Sequence, residues 1–261
     1  MRRRGIFITF EGVEGSGKTT QIRRLARRLR KEGIPPVVTR EPGGTALGDA
    51  LRRLLLDPAS AGMPPMTELL LYAAARADHI HRVIQPALER GRVVLCDRYL
   101  DATLAYQGYG RGLPLDLIRR IHSVPPLGLR PDLTLLLEID VEKGLRRARR
   151  RDEALRSSGE GRFEAESLDF HRRVAAGYRR LTLSRRGYRR IDATGSIGEV
   201  AEKIARFVLP LAGAIRPDRG GRKTAGEHSR IHRSVRARTP RSGTRGGAGV
   251  ARRAVARRGG R

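Results

Sequence analysis

The sequence predicts an α/β fold of three layers, a five-stranded parallel sheet flanked by helices. Three observations carry this expectation. Short apolar runs alternate with amphipathic stretches, which is the pattern of βαβ units joined by right-handed crossovers. Val93-Val94-Leu95-Cys96 is apolar without a break, as a parallel strand buried on both faces must be. Gly12-Val13-Glu14-Gly15-Ser16-Gly17-Lys18-Thr19 fits G-x-x-x-x-G-K-[ST] and stands between a predicted strand and a predicted helix, the context of a P-loop NTPase.

The elements follow in order. Ile6 to Phe10 is a short apolar, β-branched and aromatic run, the first strand. Ile22, Leu25, Ala26 and Leu29 predict a helix from Thr19 to Lys31, ended by Gly33, Pro35 and Pro36. Val37-Val38-Thr39-Arg40 is a second strand, and Glu41-Pro42-Gly43-Gly44-Thr45 is a loop. Leu47, Leu51, Leu54 and Leu55 mark a helix stopped at Asp57-Pro58. Thr67 is the expected cap of a long helix to Gly91, with Leu70, Ala74, Ala77 and Ile84 near one face and a kink at Pro86. The third strand delivers Asp97-Arg98-Tyr99 at its carboxyl end, and a glycine-rich loop leads on to a helix opened by Pro114. Leu133 to Ile139 is the fourth strand, after which Asp140 caps a very basic helix through Arg151. Phe163, Ser167, Phe170, Val174, Tyr178 and Leu181 predict an amphipathic helix. Arg189 to Asp192 is a weak fifth strand. Ser196-x-x-Glu199 is a capping box for a last helix that turns Val200, Ile204 and Phe207 inward.

Ligands in such folds sit beyond the carboxyl ends of the strands. Three clusters fall there: the glycine loop, Glu41 to Thr45, and Asp97-Arg98. The glycines let successive N–H groups converge at the positive end of a helix dipole, so Gly12 to Thr19 is expected to cradle the phosphates of a nucleoside triphosphate. Lys18 can reach the terminal phosphates, and the Thr19 hydroxyl can hold Mg²⁺. Asp97 can serve the same ion, and Arg98 beside it suits an acceptor phosphate. The chain has no Asn-Lys-x-Asp to read guanine, and its fourth strand lacks the acidic pair of motors and helicases. His79, His81, His122 and His171 show no metal-like clustering and read as core or surface residues.

Composition bounds the rest. At 261 residues the chain can build a substantial core. Phe207 to Ile215 is too short an apolar run to span a bilayer, and Glu11 ends the first apolar run too early for a signal peptide. Neither membrane association nor secretion is expected. The single cysteine, Cys96, suits a reducing cytoplasm. A net charge of +28 invites a nucleic-acid reading, yet about +13 of it falls in the last 49 residues. Arginine also outnumbers lysine roughly ten to one, a bias that a GC-rich coding sequence produces without selection for arginine chemistry. From Gly213 onward almost no large apolar residue remains. The expected organisation is a domain over 1–212 and a disordered basic tail over 213–261.

The stretch Asp97-Arg98-Tyr99-Leu100-Asp101-Ala102-Thr103-Leu104-Ala105-Tyr106-Gln107-Gly108 closely resembles the signature of the thymidylate kinases. The resemblance runs from about residue 5 to 210. It includes Phe10-Glu11-Gly12, Thr39 to Thr45, Tyr72-Ala73-Ala74-Ala75-Arg76, and Gly161-Arg162-Phe163-Glu164 followed by Glu166. It implies phosphorylation of dTMP to dTDP by ATP with Mg²⁺, in a cytoplasmic homodimer. It also implies roles. Tyr72 stands where the family usually stacks a phenylalanine on thymine, and Arg76, one turn on, would donate to a base carbonyl. Thr103 and Gln107 resemble further contacts on the base side, and Tyr106 the aromatic that crowds the sugar 2′ position. Glu14 resembles the acid that approaches the acceptor's 3′-hydroxyl, while Arg98 and Arg40 would grip its phosphate. Three positions depart from the family pattern: the extra hydroxyl of Tyr72, Ala102 in place of serine, and Gly161 where aspartate is common. A kinase of another deoxynucleotide, and a P-loop protein binding nucleic acid through its basic tail, remain alternatives.

Charge on a transferring phosphoryl group calls for a cation beyond Lys18. Some thymidylate kinases place an arginine directly after the acidic residue of the P-loop, where this chain has Gly15. The resemblance then implies the other arrangement, arginines in a small lid at about 146–163. Arg146 to Arg151 ends a helix, and Ser157 to Gly161 is flexible enough to serve as lid. The family's Arg-x-Arg spacing selects Arg149 and Arg151, with Arg162 third.

Overall fold

The computed structural model describes residues 5–154, 161–182 and 187–215. Strands β1 (Ile6–Glu11), β2 (Val37–Arg40), β3 (Val93–Asp97), β4 (Leu133–Glu138) and β5 (Tyr188–Asp192) form one parallel sheet in the order β2-β3-β1-β4-β5. All five expected strands are present. Alternation along β1 divides its side chains between two cores. Ile8 and Phe10 pack with Ile22, Leu25 and Leu29 of α1 (Lys18–Lys31). Phe7, on the opposite face, joins a cluster with Leu69 and Ala73 of α3 (Pro65–His79), which α2 (Ala46–Leu56) precedes. Since β1 lies between β3 and β4, its carboxyl end sits where the order of strands reverses, the usual crevice for a ligand.

The Thr45 hydroxyl, in the segment expected only as a loop, accepts from the Gly48 N–H and caps α2. Local signals placed two other helix starts correctly. Both halves of the Ser196–Glu199 capping box are formed. Asp140 caps α7 (Val141–Ala154) by accepting from the Lys143 N–H.

Helix faces fared less well. The buried stripe of α3 is Leu69, Ala73 and Arg76, while Leu70 is 52% exposed and Ala74 also faces outward. A buried arginine in the true stripe made the neighbouring apolar stripe look better. The helix starts at Pro65 rather than at a Thr67 cap. The irregularity expected at Pro86 comes earlier, because Ile80–Ile84 is wound as π-turns before α4 (Gln85–Glu89). Proline has no N–H to bond the carbonyl of Arg82.

The glycine-rich segment after β3 is helical, not a loop. It comprises α5 (Leu100–Thr103) and a π-wound continuation, Leu104–Gly110, ahead of α6 (Leu115–Ile121). Its glycines serve close packing: a Cβ on Gly110 would stand 2.7 Å from the Phe170 ring. Phe163 is buried but precedes α8 (Leu168–Thr182), whose Phe170 N–H is capped by Ser167. In α9 (Ile197–Gly213), Val208 takes the core place expected of Phe207, which is 37% exposed. Ile215 is buried in the same cluster as α9, three residues beyond the expected boundary. The chain divides into two units, Met1–Arg219 and Gly220–Arg261, and the second lies wholly outside the described residues.

Candidate active site

The loop after β1 is built on backbone that only glycine adopts easily. Gly12, Gly15 and Gly17 have φ of 136°, 67° and 90°. A Cβ on Gly12 would meet the Leu137 carbonyl oxygen at 2.4 Å, and one on Gly15 would meet that of Gly144 at 2.0 Å. Position 15 therefore has no room for any side chain, because the backbone of α7 packs against it. Lys18 is buried and donates to the Gly12 and Val13 carbonyls, both at 2.9 Å, and to Ser16 Oγ. Burial, followed by the nearby Arg98 charge, lowers its pKa to about 8. Thr19 Oγ1 donates to Asp97 Oδ2 at 2.6 Å, which joins the loop to the end of β3.

Arg98 follows with φ of 68°, uncommon for a residue with a Cβ. Its N–H donates to the Phe10 carbonyl, and its guanidinium turns back over the loop. Nη1 donates to the Gly12 carbonyl and the Tyr178 hydroxyl, and Nη2 donates to Glu14 Oε1, all at 3.1 Å. The guanidinium carbon stands 4.9 Å from the centre of the Tyr106 ring. Tyr106 donates its hydroxyl to the same Glu14 oxygen at 2.6 Å. Burial, the largest single influence on Glu14, raises its pKa, but Arg98, His171, Lys18 and Tyr106 together outweigh it and hold the carboxyl well below the usual range. Beneath this group the Glu11 carboxylate accepts from the Tyr99 N–H and the Tyr178 hydroxyl. Burial and the neighbouring Asp101 push Glu11 up to about 8.

A second polar cluster closes the far end. Arg76 is 1% exposed, and three of its nitrogens are engaged. Nε donates to Glu41 Oε2 at 2.7 Å, Nη2 donates to Thr103 Oγ1 at 3.0 Å, and Nη1 stands 2.7 Å from His122 Nε2. Glu41 is held from its other oxygen by His79 Nδ1 at 2.9 Å, and His79 Nε2 meets Thr39 Oγ1 at 2.6 Å. Glu68, fully buried, gathers Arg162 at 2.6 Å, Arg111 at 3.3 Å and the Gln107 amide nitrogen at 2.8 Å.

One continuous cleft of about 1170 Å³ connects these clusters. It is lined by the sequence-predicted residues Glu14 to Thr19, Arg40, Tyr72, Arg76, Asp97, Arg98, Thr103, Tyr106 and Gln107. Gly12 and Val13 support it from the turn below, through their carbonyls. Arg40 is half exposed, with Asp49 Oδ1 at 3.5 Å. Arg149 is exposed and does not line the cleft, whereas Arg147 does. Two residues along a helix turn a side chain by about 200°, so 147 and 149 cannot share a face. The side chain of Arg151 lies outside the described residues, as do 155–160 of the expected lid. Arg162 is not free to act as a lid cation: it is buried, paired with Glu68 and donating to the Leu55 carbonyl.

The thymidylate kinase family profile matches residues 10–204. The chain belongs to the thymidylate kinase family. It is 50% identical over 206 residues to the thymidylate kinase of Pelobacter propionicus, covering 78% of this chain and 94% of that protein. With the enzyme of a Synechococcus species the identity is 52% over 217 residues, covering 81% of this chain and all of the relative. The crystal structure of thymidylate kinase from Ehrlichia chaffeensis superposes with a TM-score of 0.62 at 29% identity, over 78% of this chain and 99% of that one. The chain is thus a phosphotransferase of the nucleotide-kinase class.

Glu41, Glu68, His79, His122 and Arg147 were given no individual site role by the sequence. Glu41 and His79 had a faint signal, being charged or polar groups near a strand end and on a helix. Arg147 stood in the Arg146 to Arg151 run but was passed over for Arg149 and Arg151. Glu68 and His122 had no signal, since Gln107 and Arg76, which they engage, lie 39 and 46 residues away.

Proposed function

We propose that this cleft transfers the terminal phosphoryl group of ATP to dTMP, giving dTDP for dTTP synthesis. The observation that carries the reading is the pair of fixed arginines at a cleft that begins at a P-loop. Arg76 is clamped by Glu41, His122 and Thr103, and Arg98 is clamped over Glu14. Thymidylate kinase relatives at about 50% identity support the substrate.

The P-loop N–H groups and Lys18 hold the donor phosphates. Thr19 and Asp97 bring two hard oxygen ligands together at the loop's edge, a donor set that suits Mg²⁺, and these two residues would hold it. When bound, that ion neutralises charge on the donor phosphates. Arg98 and Arg40 grip the acceptor phosphate. Glu14 faces the acceptor's 3′-hydroxyl, and Tyr106, whose hydroxyl is tied to Glu14, fills the space beside the 2′ carbon. Tyr72 stacks on the base, and the free N–H groups of Arg76 read its carbonyl. Arg147, with position 151 one helical turn on, supplies the lid cation, because Gly15 leaves no room for an arginine in the loop.

Exposed Leu47, Leu54, Met66 and Leu70 on α2 and α3 support the homodimer implied by the family. No helix among the described residues is long and apolar enough to cross a membrane. A cytoplasmic location is proposed from the family.

The experiment offers the purified protein ATP and Mg²⁺ with dTMP, dUMP, dCMP, dGMP or UMP separately. dTMP should be used best, and dUMP about 10- to 200-fold less well, since it lacks only one methyl group. Preference for a purine monophosphate would overturn the assignment.

A further inference from the structure

His171 of α8 is fully buried, yet neither of its ring nitrogens has a hydrogen-bond partner among the described residues. Glu14 Oε2 is also buried and unpartnered. These orphaned atoms face one another: His171 Nδ1 stands 3.5 Å from Glu14 Oε2. Buried polar groups are almost always paired, so an imidazole kept in such a place, next to a carboxylate with one empty edge, calls for an explanation.

The two sides are held differently. His171 sits in a helix anchored at several points. Tyr178 donates to Glu11, Arg173 to the Gly110 carbonyl, and the Phe170 ring packs edge-on against the imidazole at 5.5 Å. Glu14 is a side chain of the P-loop that lines the cleft. Its Oε1 edge is drawn to Arg98 and Tyr106. Nothing but His171 faces its Oε2 edge among the described contacts.

We propose that His171 is a positioning residue for Glu14. Nδ1–H donates to Oε2 once a small shift of the Glu14 side chain closes the gap. With donors on both edges the carboxylate is pinned in one plane and keeps a lone pair for a hydroxyl of the acceptor sugar. Without His171 it would rotate to satisfy Arg98 fully, drawing that arginine off the acceptor phosphate and turning its own free edge away. His171 is therefore a determinant of selectivity for a 3′-hydroxyl, a role that rests on Glu14 facing that group.

The test compares kcat/KM for dTMP and for its 3′-deoxy analogue, 2′,3′-dideoxythymidine monophosphate, in wild type, His171→Asn and His171→Phe. Asparagine places an amide N–H where Nδ1 stands, and phenylalanine keeps the ring without a donor. Wild type and His171→Asn should prefer dTMP alike. His171→Phe should lose about tenfold or more of that preference, chiefly through kcat on dTMP. His171→Leu carries the same test if the phenylalanine variant does not fold. An equal loss on both substrates would show a packing role only and overturn the inference, leaving the Glu14 reading intact. No preference in wild type would overturn the Glu14 reading and this inference with it.

Discussion

His122 Nε2 lies 2.7 Å from Nη1 of Arg76, while Nδ1 of the same ring lies 2.8 Å from the Ile118 carbonyl oxygen. A carbonyl can only accept, so Nδ1 carries the proton and Nε2 offers its lone pair to the guanidinium. Burial, and then the charge of Arg76, lower the His122 pKa to about 4. The folded protein therefore prefers the neutral ring, whereas the unfolded chain titrates near 6.5. This contribution to stability is present above pH 6.5 and is lost as pH falls toward 4. Urea denaturation of wild type and His122→Asn at pH 7.5, 6 and 5 should show a steeper acid loss in wild type. Equal slopes would show that the folded protein does not hold His122 neutral. His122→Phe should also raise KM for dTMP more than it lowers kcat, because Arg76 loses its aim.

Glu41 is the only carboxylate within hydrogen-bonding range of Arg76 among the described contacts. Both side chains are almost fully buried. Removing one partner leaves a buried charge uncompensated, at a cost of about 3–5 kcal/mol. Glu41→Gln should lose that much in chemical denaturation. A loss under about 1 kcal/mol would mean that Arg76 finds another counter-charge.

Arg147 and Arg149 point away from each other on α7. Arg147→Ala should lower kcat by about 10³-fold with little change in dTMP affinity, as expected of a contact that strengthens in the transition state. Arg149→Ala should stay near wild type. Steady-state kinetics of the two variants decide between the positions, and the reverse ranking would restore the Arg-x-Arg assignment.

Gly15→Ala introduces a Cβ 2.0 Å from the Gly144 carbonyl oxygen, at a φ of 67°. α7 must shift or the P-loop must re-form, and either change spoils the phosphate cradle. Calorimetric ATP titration should show binding lost, with far-UV circular dichroism unchanged. Normal ATP affinity would show that α7 yields freely.

Deleting residues from Gly220 onward should leave dTMP turnover and melting temperature as in the full chain, since among the described residues the core cluster ends at Ile215 and the sequence beyond is poor in large apolar residues. Cutting after Ala212 removes Ile215, which is 6% exposed, and should cost about 1.5–3 kcal/mol. Equal stability of the two truncations would show that Ile215 contributes nothing.

The sequence by itself determined the P-loop, all five strands, the caps at Asp140 and Ser196, and the substrate class. These rest on contiguous residues: eight for the phosphate loop, four to six per strand, four for a capping box. Each is a local preference of the backbone or of alternating side chains, and needs no knowledge of what packs above it. The tertiary structure alone decided the strand order and which stripe of a helix is buried. Leu70 and Phe207 are apolar yet exposed, because burial depends on the neighbour and not on the residue. Arg76 is charged yet buried, because Glu41, Thr103 and His122 reach it from 35, 27 and 46 residues away. The same holds for the lid, where spacing favoured Arg149 and the helical turn gave the cleft to Arg147. Only the folded chain brought His171 to the empty edge of Glu14, 157 positions away in sequence, since the energy of a buried polar contact is set by distances in space that sequence separation leaves open.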